Sequence, residues 1–510
     1  MTCDSPLPVF NGERVSLDRV PVMSVEDFRD EIIMHTADGG RIVSLFGAPA
    51  PGGGAVRLHA VLGAADTGGF LVLAADVAGD GYPALTPECA QAHWFEREIA
   101  EQWGLRPGGH PWLKPLRFHR SRRPEHDAWG RGGDASPAIG VTDFYRVEGD
   151  EVHEVAVGPV HAGIIEPGHF RFQCHGENVM HLEISLGYQH RGVENALAGG
   201  PGKRVIHHME TLAGDTTIGH ALAYCQGVEA LTGTAAPFRA LEIRGIALEL
   251  ERLANHTGDL GALSGDVGFL PTASFCGRLR GEYLNMTGLA CGSRFGRGWV
   301  RPGGVAFDLT PELRGEILKR LDAVFRDTRG AVDLLWNTPS VMARFEDTGR
   351  ITPDLCAALG LVGVPARACG IRRDARFEYP SGIYQFTSIP TATWASGDVF
   401  ARAQVRWREM VHSAAFVRER LESLSEGPVR AAAPAPLAAD SLTVSVVEGW
   451  RGEICHTMIT DGAGRFAAYK VVDPSFHNWA GLAMAMRGQQ ISDFPLCNKS
   501  FNLSYCGVDL

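Results

Sequence analysis

The stretch Arg239–His256, RALEIRGIALELERLANH, predicts the central helix of the fold. Its large apolar side chains recur every three or four residues, which is the spacing of one buried helix face. They are Ile243, Ile246, Leu250 and Leu253. A polar stripe on another side of this helix is made of Glu242, Glu249, Arg252 and His256. We expect this stripe to face solvent; the alternatives are that it lines a wet cavity or contacts a partner.

Helical patterns continue on both sides of this stretch. Further helices are expected over 204–232, 310–336 and 398–424. Alternating apolar residues predict strands ahead of the first of these helices and behind the last. The sequence therefore predicts a large, mainly helical core domain flanked by β-sheets over residues 150–510.

The first 120 residues have a different character. Short apolar runs separated by Gly and Pro precede a helix-like segment that begins at Ala92. Residues 119–142 are rich in Arg, Gly and Pro and lack an apolar period, as expected of a linker. We predict an α+β fold in which a small N-terminal α+β domain (1–120) and a linker (121–149) precede the core domain (150–510).

Composition excludes several classes of protein. The 510 residues carry 59 acidic and 48 basic side chains, a net charge of −11, so nucleic acid is not an expected partner. The longest uncharged stretch, Tyr379–Gly397, is interrupted by prolines and rich in hydroxyls, so no membrane span is expected. The start of the sequence lacks the pattern of an export signal, and we expect a cytoplasmic chain.

The 11 cysteines are spread thinly along the sequence. An odd, scattered set without an export signal argues against a disulfide framework. No two cysteines are three residues apart, so the sequence contains no Cys-x-x-Cys that could hold zinc, an iron–sulfur cluster or nickel from one turn of backbone. We therefore expect the chain to bind no metal cluster of its own.

A series of motifs runs through residues 150–510. It consists of Gly158–Phe172, Leu186–Glu194, Ala213–Tyr224, Glu249–His256, Glu448–Glu453 and Asp473–Asn478. In this order the motifs resemble the large subunit of hydrogenase-4 and formate hydrogenlyase, the group-4 nickel–iron hydrogenases, which are homologous to the quinone-site core subunit of respiratory complex I. Trp94–Leu105 and Gly109–Leu113 resemble the small peripheral subunit of complex I. The resemblance implies a fused pair of NADH-dehydrogenase-like peripheral-arm subunits.

The resemblance also implies two Cys-x-x-Cys pairs that hold nickel and iron, and this sequence lacks all four thiols. The ligand positions are replaced by Ala213, Thr216, Ser475 and Asn478. Alanine cannot ligate a metal, and hydroxyl and amide oxygens are hard donors with little affinity for such a centre. Two alternatives remain open. Thiols from other loops could substitute, namely Cys225, Cys455 or Cys497, or a hard ion could be held by Asp215, Asp473 and His477.

In complex I the corresponding cavity reduces quinone with the help of a histidine and a tyrosine. The resemblance places His161 at the histidine, Thr211 at the tyrosine and His208 at an arginine near the partner's cluster. A threonine hydroxyl is a poor proton donor at neutral pH, whereas histidine is well suited to passing protons. The candidate cavity residues are His161, Asp215, His190, Arg191 and Glu194, with His161, His208 and Thr211 as quinone-side candidates.

Each of these residues also has a structural interpretation. A histidine on such a motif is often an ordinary, hydrogen-bonded structural residue. Glu194 either begins a proton path or forms a buried Arg–Glu pair that holds two helices together.

We expect the chain to be the core peripheral-arm subunit of a complex-I-like, hydrogenase-4-type membrane-bound oxidoreductase that lacks the nickel–iron centre. No cofactor is expected on this chain. The expected partners are an iron–sulfur small subunit that carries the cluster and donates electrons, a ferredoxin-like subunit, and antiporter-like membrane-arm subunits that attach the chain to the inner face of the cell membrane. The expected acceptor is quinone or another small molecule. The alternative is a non-catalytic structural adaptor that couples conformational change to ion-translocating membrane subunits.

Overall fold

The computed structural model describes residues 5–131, 137–432 and 435–510. The strands within these residues are β1 (Leu7–Phe10), β2 (Arg14–Ser16), β3 (Val22–Met23), β4 (Arg41–Pro49), β5 (Val56–Ala64), β6 (Gly69–Val77), β7 (Gly81–Pro83), β8 (Arg106–Gly108), β9 (Val152–Val157), β10 (His169–His175), β11 (Asn178–Ser185), β12 (Val300–Arg301), β13 (Gly304–Val305), β14 (Ser441–Glu448), β15 (Glu453–Thr460) and β16 (Phe466–Val472). The helices are α1 (Val25–Ala37), α2 (His93–Trp103), α3 (Val193–Leu197), α4 (Val205–Met209), α5 (Thr217–Thr232), α6 (Phe238–Asp266), α7 (Leu270–Cys291), α8 (Pro311–Trp336), α9 (Pro339–Phe345), α10 (Pro353–Ala358), α11 (Gly363–Ala368), α12 (Ala375–Glu378), α13 (Val399–Glu422), α14 (Pro474–Ala485), α15 (Phe494–Phe501) and α16 (Cys506–Asp509).

The N-terminal region contains a sheet in the order β1-β6-β5-β4, with β3 as an extra parallel partner of β6. The long strands β4, β5 and β6 are antiparallel neighbours with mostly buried side chains, and α1 and α2 pack against this sheet. The helix expected from Ala92 is α2. The α+β fold class is confirmed.

The sheet nearest the C-terminus has the order β16-β15-β14-β2, and its pairs are all antiparallel. Its edge strand β2 comes from the N-terminal region, since Ser16 lies opposite Ser441. The N-terminal region also contacts this sheet through Arg41, whose guanidinium pairs with Glu453 on β15. The two regions are therefore joined through a shared sheet and a buried ion pair. The domain boundaries stay predictions, and part of the expected linker lies outside the described residues.

The mainly helical core is organised around α6, which packs against α7 and α13. The helices expected over 310–336 and 398–424 are α8 and α13. The helix expected over 204–232 is instead two helices, α4 and α5, because the chain between them forms a loop whose side chains bond to neighbouring segments. No helix in the described ranges has both the length and the apolar character needed to cross a membrane.

The expectation that the polar stripe of α6 faces solvent is wrong. Glu249, Arg252 and His256 are completely buried. Glu249 accepts a hydrogen bond from the Ser413 hydroxyl at 2.6 Å, and His256 Nε2 lies 2.7 Å from a carboxylate oxygen of Glu409. Both partners lie on α13, so the stripe forms a buried polar contact between two helices. Helical periodicity shows that a stripe is polar, but it cannot show that a distant helix supplies matching groups.

Candidate functional site

Several loops from the predicted motifs meet at the start of α5. The loop before α5 contacts the β14–β15 turn, because Asp215 of the loop pairs with Arg451 of the turn. Arg451 also contacts the C-terminal segment, since its Nε donates to the backbone oxygen of Asn502 at 2.6 Å. The start of α14 joins the C-terminal segment, because the Ser504 amide donates to the Ser475 hydroxyl at 2.8 Å. We call this meeting point the loop site.

Asp215 is fixed by Arg451 in a two-point ion pair. Arg451 Nη1 lies 2.7 Å from Asp215 Oδ1 and Nη2 lies 2.8 Å from Oδ2. The guanidinium lies over the Trp450 ring, 3.9 Å from its centroid. Burial favours the neutral acid, but the Arg451 charge outweighs it and lowers the pKa of Asp215. The side chain of Asp215 is 34 % exposed, so the loop site presents a fixed carboxylate to solvent.

The residues at the expected nickel–iron positions are engaged by the protein itself. The Thr216 hydroxyl accepts hydrogen bonds from Trp450 Nε1 at 3.1 Å and from Arg451 at 3.2 Å. Asn478 uses both ends of its amide on the backbone of Val362, at 3.0 and 3.1 Å. Together with the buried methyl of Ala213 and the engaged Ser475 hydroxyl, these groups do not fit a soft-metal centre.

A row of buried polar side chains leads inward from the start of α14. Asp473 Oδ2 lies 3.1 Å from His220 Nε2, His220 Nδ1 lies 3.1 Å from His456 Nε2, and His456 Nδ1 lies 2.8 Å from the Tyr469 hydroxyl. The exposed fraction of these side chains does not exceed 4 %. We call these four residues the histidine row. Sequence reasoning missed it: His220 lies in a recognised motif, but His456 and Tyr469 lie on strands and meet it only in the folded chain.

Burial has a strong effect on the protonation of the histidine row. It lowers the pKa of His456 well below its usual range and raises that of Tyr469 well above 10. Burial also disfavours the Asp473 carboxylate, but the hydrogen bond from His220 and the nearby Arg451 charge outweigh it and lower the pKa of Asp473. The row therefore contains a carboxylate at one end and a neutral phenol at the other.

The structure holds His161 and Thr211 through backbone carbonyls. His161 lies in the loop between β9 and β10, with Nε2 2.8 Å from the Gly168 oxygen. Thr211 is exposed, and its hydroxyl donates to the His207 oxygen at 2.9 Å. His208 is half-buried on α4. Their predicted roles toward quinone stay predictions.

Arg191 and His190 connect their motif to the C-terminal segment. Arg191 donates to the backbone oxygens of Thr211 at 2.7 Å and Cys506 at 3.0 Å. His190 Nδ1 contacts the backbone oxygen of Asp509, and burial followed by the nearby Arg117 charge lowers the pKa of His190 to about 4. In this conformation both residues bind backbone close to the loop site.

Glu194 belongs to a separate group of buried charges. It lies 3.0 Å from Lys470 Nζ, which also lies 2.6 Å from Glu98, and Glu98 pairs with Arg117. We call Glu98, Arg117, Glu194 and Lys470 the interface ion cluster, because it joins α2 of the N-terminal region to α3 and β16. Burial opposes the charge on Glu194, but Lys470 and Arg117 lower its pKa far below the usual range. The direct ion partner of Glu194 within this cluster is Lys470.

The two alternative metal arrangements are not assembled. Within the described residues there is no group of three or more His, Cys, Asp or Glu side chains that could hold a metal ion. His477 packs against Phe95 at 5.6 Å between ring centroids, and burial together with nearby arginine charges lowers its pKa to about 3. The thiols of Cys225, Cys455 and Cys497 are buried, and burial raises the pKa of the last two to about 12.

Two cavities lie away from the loop site. One, of about 400 Å³, lies between Asn11, α5, α6 and the chain around Tyr384. The other, of about 720 Å³, lies between α2, Tyr145, β11 and α14. The candidate residues named from the sequence line neither cavity.

The fold places the chain among mixed α+β proteins, and the loop site is built from segments of the motif series that runs through residues 150–510. A family described as the 49 Kd subunit of respiratory-chain NADH dehydrogenase matches residues 266–443 and 437–510. The carbon monoxide-induced hydrogenase of Rhodospirillum rubrum is 31 % identical over 355 residues, which cover 69 % of this chain and 97 % of the relative. This chain therefore belongs to the family of the respiratory-chain NADH dehydrogenase 49 Kd subunit.

Two further relatives confirm the resemblance seen in the motifs. Formate hydrogenlyase subunit 5 of Escherichia coli is 28 % identical over 440 residues, covering 84 % of this chain and 77 % of the relative. NADH-quinone oxidoreductase subunit 4 of Thermus thermophilus is 30 % identical over 369 residues, covering 67 % of this chain and 90 % of the relative.

Proposed function

We propose that the chain is the core peripheral-arm subunit of a complex-I-like, hydrogenase-4-type oxidoreductase that works without nickel and iron in this subunit. Similarity to formate hydrogenlyase subunit 5 and to NADH-quinone oxidoreductase subunit 4 supports the assignment to such an assembly. An iron–sulfur subunit supplies the electrons, and a ferredoxin-like subunit and antiporter-like membrane subunits complete the assembly and attach it to the inner face of the membrane. This chain carries no cofactor.

The observation that carries the proposal is the Asp215–Arg451 pair at the loop site. Four soft thiolates would be needed at this site to bind nickel and bridge it to iron, whereas the loop site holds a fixed carboxylate–guanidinium pair. Reduction of a quinone consumes two electrons and two protons, so an acceptor site needs groups that orient and supply protons. Asp215 orients neighbouring donors, and His161 is a side chain of the type that exchanges protons near neutrality.

The test is electron flux through the purified assembly, from reduced methyl viologen to the soluble quinone menadione. A positioned acid–base group contributes about 10² to 10⁴ in rate, so His161→Ala and Asp215→Asn should lower flux by about that factor at normal complex abundance on a native gel. Asp76→Asn is a matched control, because Asp76 forms a similar two-point pair with Arg57, at 2.7 and 2.8 Å, on the N-terminal sheet. His412→Ala matches His161, since its ring also contacts a backbone carbonyl.

A second candidate function, the non-catalytic adaptor, is favoured by one observation. His161 and Thr211 direct their polar atoms to backbone carbonyls, as structural residues do. Unchanged flux in both His161→Ala and Asp215→Asn would support the adaptor and overturn the catalytic proposal. Stoichiometric nickel in the purified assembly would overturn the proposal that the subunit works without that metal.

A further inference from the structure

The hydrogen positions in the histidine row follow from its two ends. Asp473 is a carboxylate and can only accept, so His220 Nε2 must carry the hydrogen that lies between them, at 3.1 Å. At the other end, the strong acceptor within reach of the Tyr469 hydroxyl is His456 Nδ1, at 2.8 Å, so His456 carries its hydrogen on Nε2 and donates it to His220 Nδ1. The other neighbour of that hydroxyl, the Met209 sulfur at 3.9 Å, is a weak acceptor.

Every hydrogen in the row therefore points toward Asp473. In this arrangement each pair of facing polar atoms consists of one donor and one acceptor, and a turn of either ring would bring two acceptors or two donors together. Within the row, the Tyr469 hydroxyl is the first hydrogen-bond donor, because it donates to His456 and accepts from no other member. The orientation of His220 next to the loop site is thus decided by a tyrosine two rings away.

We propose that His456 and Tyr469 are positioning residues that fix His220 in its Nε2–H form and so keep a hydrogen-bond donor aimed at the Asp473 carboxylate beside the loop site. This inference rests on the proposed function and names residues that act on the same site. Asp473 also accepts from the Ser475 amide at 2.8 Å and lies near Arg451, so its position is fixed from the side of α14 and from the β14–β15 turn.

The burial of His456 and Tyr469 favours the positioning role over proton conduction through the row. It keeps His456 neutral and makes the Tyr469 phenol a very weak acid, so neither group exchanges its proton readily. Charged and titratable groups around them include Glu194, which acts on His456, and the thiols of Cys225 and Cys455 near Tyr469. Proton conduction would need side chains that change their protonation state, whereas positioning of His220 needs side chains that keep theirs.

The test uses the purified assembly and the flux from reduced methyl viologen to menadione, with kcat and KM measured separately per assembled complex. Partners that fix the tautomer of a metal-ligating histidine typically matter by about 10- to 100-fold, and we take the same range for His220. We expect His456→Leu and Tyr469→Phe to lower kcat by about that factor, with the KM for menadione unchanged. His456→Gln should restore most of the rate, because an amide can accept from Tyr469 and donate to His220 but cannot relay a proton.

Matched controls are Tyr283→Phe, which removes a buried hydroxyl that contacts Thr328 at 3.2 Å, and His59→Gln in the N-terminal sheet. Both should keep kcat. If His456→Leu does not assemble, Tyr469→Phe carries the test, since it removes only one oxygen atom.

The outcomes separate the possible failures. Equal kcat in wild type, His456→Leu and Tyr469→Phe would overturn the positioning role and leave the proposed function standing. Loss of rate in His456→Gln as severe as in His456→Leu would also overturn it, in favour of proton conduction. A wild-type assembly that passes no electrons to menadione would overturn the proposed function and this inference with it.

Discussion

Tyr469 and Lys470 are neighbours on β16, yet their side chains join different buried groups. Successive residues of a strand point to opposite faces of the sheet. The Tyr469 hydroxyl contacts His456 in the histidine row, whereas the Lys470 ammonium lies between Glu98 and Glu194 in the interface ion cluster. The row consists of single hydrogen bonds that end on one carboxylate, and the cluster consists of opposite charges in direct contact.

This difference indicates that the histidine row positions a side chain beside the loop site, whereas the interface ion cluster stabilises the fold. Removing one partner of a buried ion pair leaves an uncompensated charge and is strongly destabilising. Removing one neutral hydrogen bond has a smaller effect, on the order of 1 kcal/mol. We therefore expect mutations in the cluster to act on stability and mutations in the row to act on activity.

The largest effect is expected for Lys470→Met, which leaves Glu98 and Glu194 without their shared cation. Loss of one partner from a buried pair typically lowers the free energy of unfolding by about 3 to 5 kcal/mol. Denaturant unfolding of the purified chain measures it. Lys319→Met, on an exposed face of α8, is the matched control and should change stability by no more than about 0.5 kcal/mol. A loss below about 1 kcal/mol in Lys470→Met would contradict the structural role of the cluster.

A smaller effect is expected for Arg451→Met at the loop site. Asp215 would lose its ion pair, but its side chain is 34 % exposed and water can solvate the carboxylate. The expected loss of stability is about 1 to 2 kcal/mol, between the values for exposed and buried pairs. Arg57→Met removes the similar pair with Asp76 and serves as the control. A loss in Arg451→Met as large as that in Lys470→Met would erase the distinction between the two regions.

Glu251, which lies close to the loop site, should make the free energy of unfolding depend on pH. Burial raises its pKa to about 8, although the amides of Ile218 and Gly219 donate to it. Between the usual glutamate pKa and about 8 the folded chain binds more protons than the unfolded chain, so stability should fall as pH rises. The contribution approaches about 1.4 kcal/mol per pH unit. In Glu251→Gln, urea unfolding from pH 5 to 8 should show a smaller fall; parallel curves would refute the assignment.

The smallest effect on the stability of the fold is expected from a proteolytic cut in the linker. Limited proteolysis of the free chain should cut first within 121–149, where the described residues contain no helix or strand. The cut chain should remain associated, because β2 stays paired with β14 and the interface ion cluster still joins α2 to β16. A first cut inside 240–260, or separation of the fragments under native conditions, would contradict this description.

Much of the fold could be predicted from local patterns. The apolar spacing of Arg239–His256 predicts a helix, and the structure extends it to Phe238–Asp266. The apolar period of 310–336 is likewise reproduced by α8. These signals come from burial of one face against a core, which leaves a local pattern in the sequence.

The rest depends on partners that are distant in sequence. The polar stripe of α6 looked solvent-facing because its partners, such as Glu409, lie far along the chain. The histidine row is similar, since His220 meets His456 across 236 residues. The motif series indicated where the loop site would be, and only the folded chain shows that Arg451 occupies it.

The most direct measurement compares Tyr469→Phe with Lys470→Met in one experiment, recording complex abundance on a native gel and menadione reduction per assembled complex. We expect Tyr469→Phe to keep its abundance and to lose about 10- to 100-fold in turnover. We expect Lys470→Met to lose abundance and to keep its turnover per complex. If both variants lost abundance and turnover together, the two neighbouring residues would belong to one structural unit, and the central distinction would be wrong.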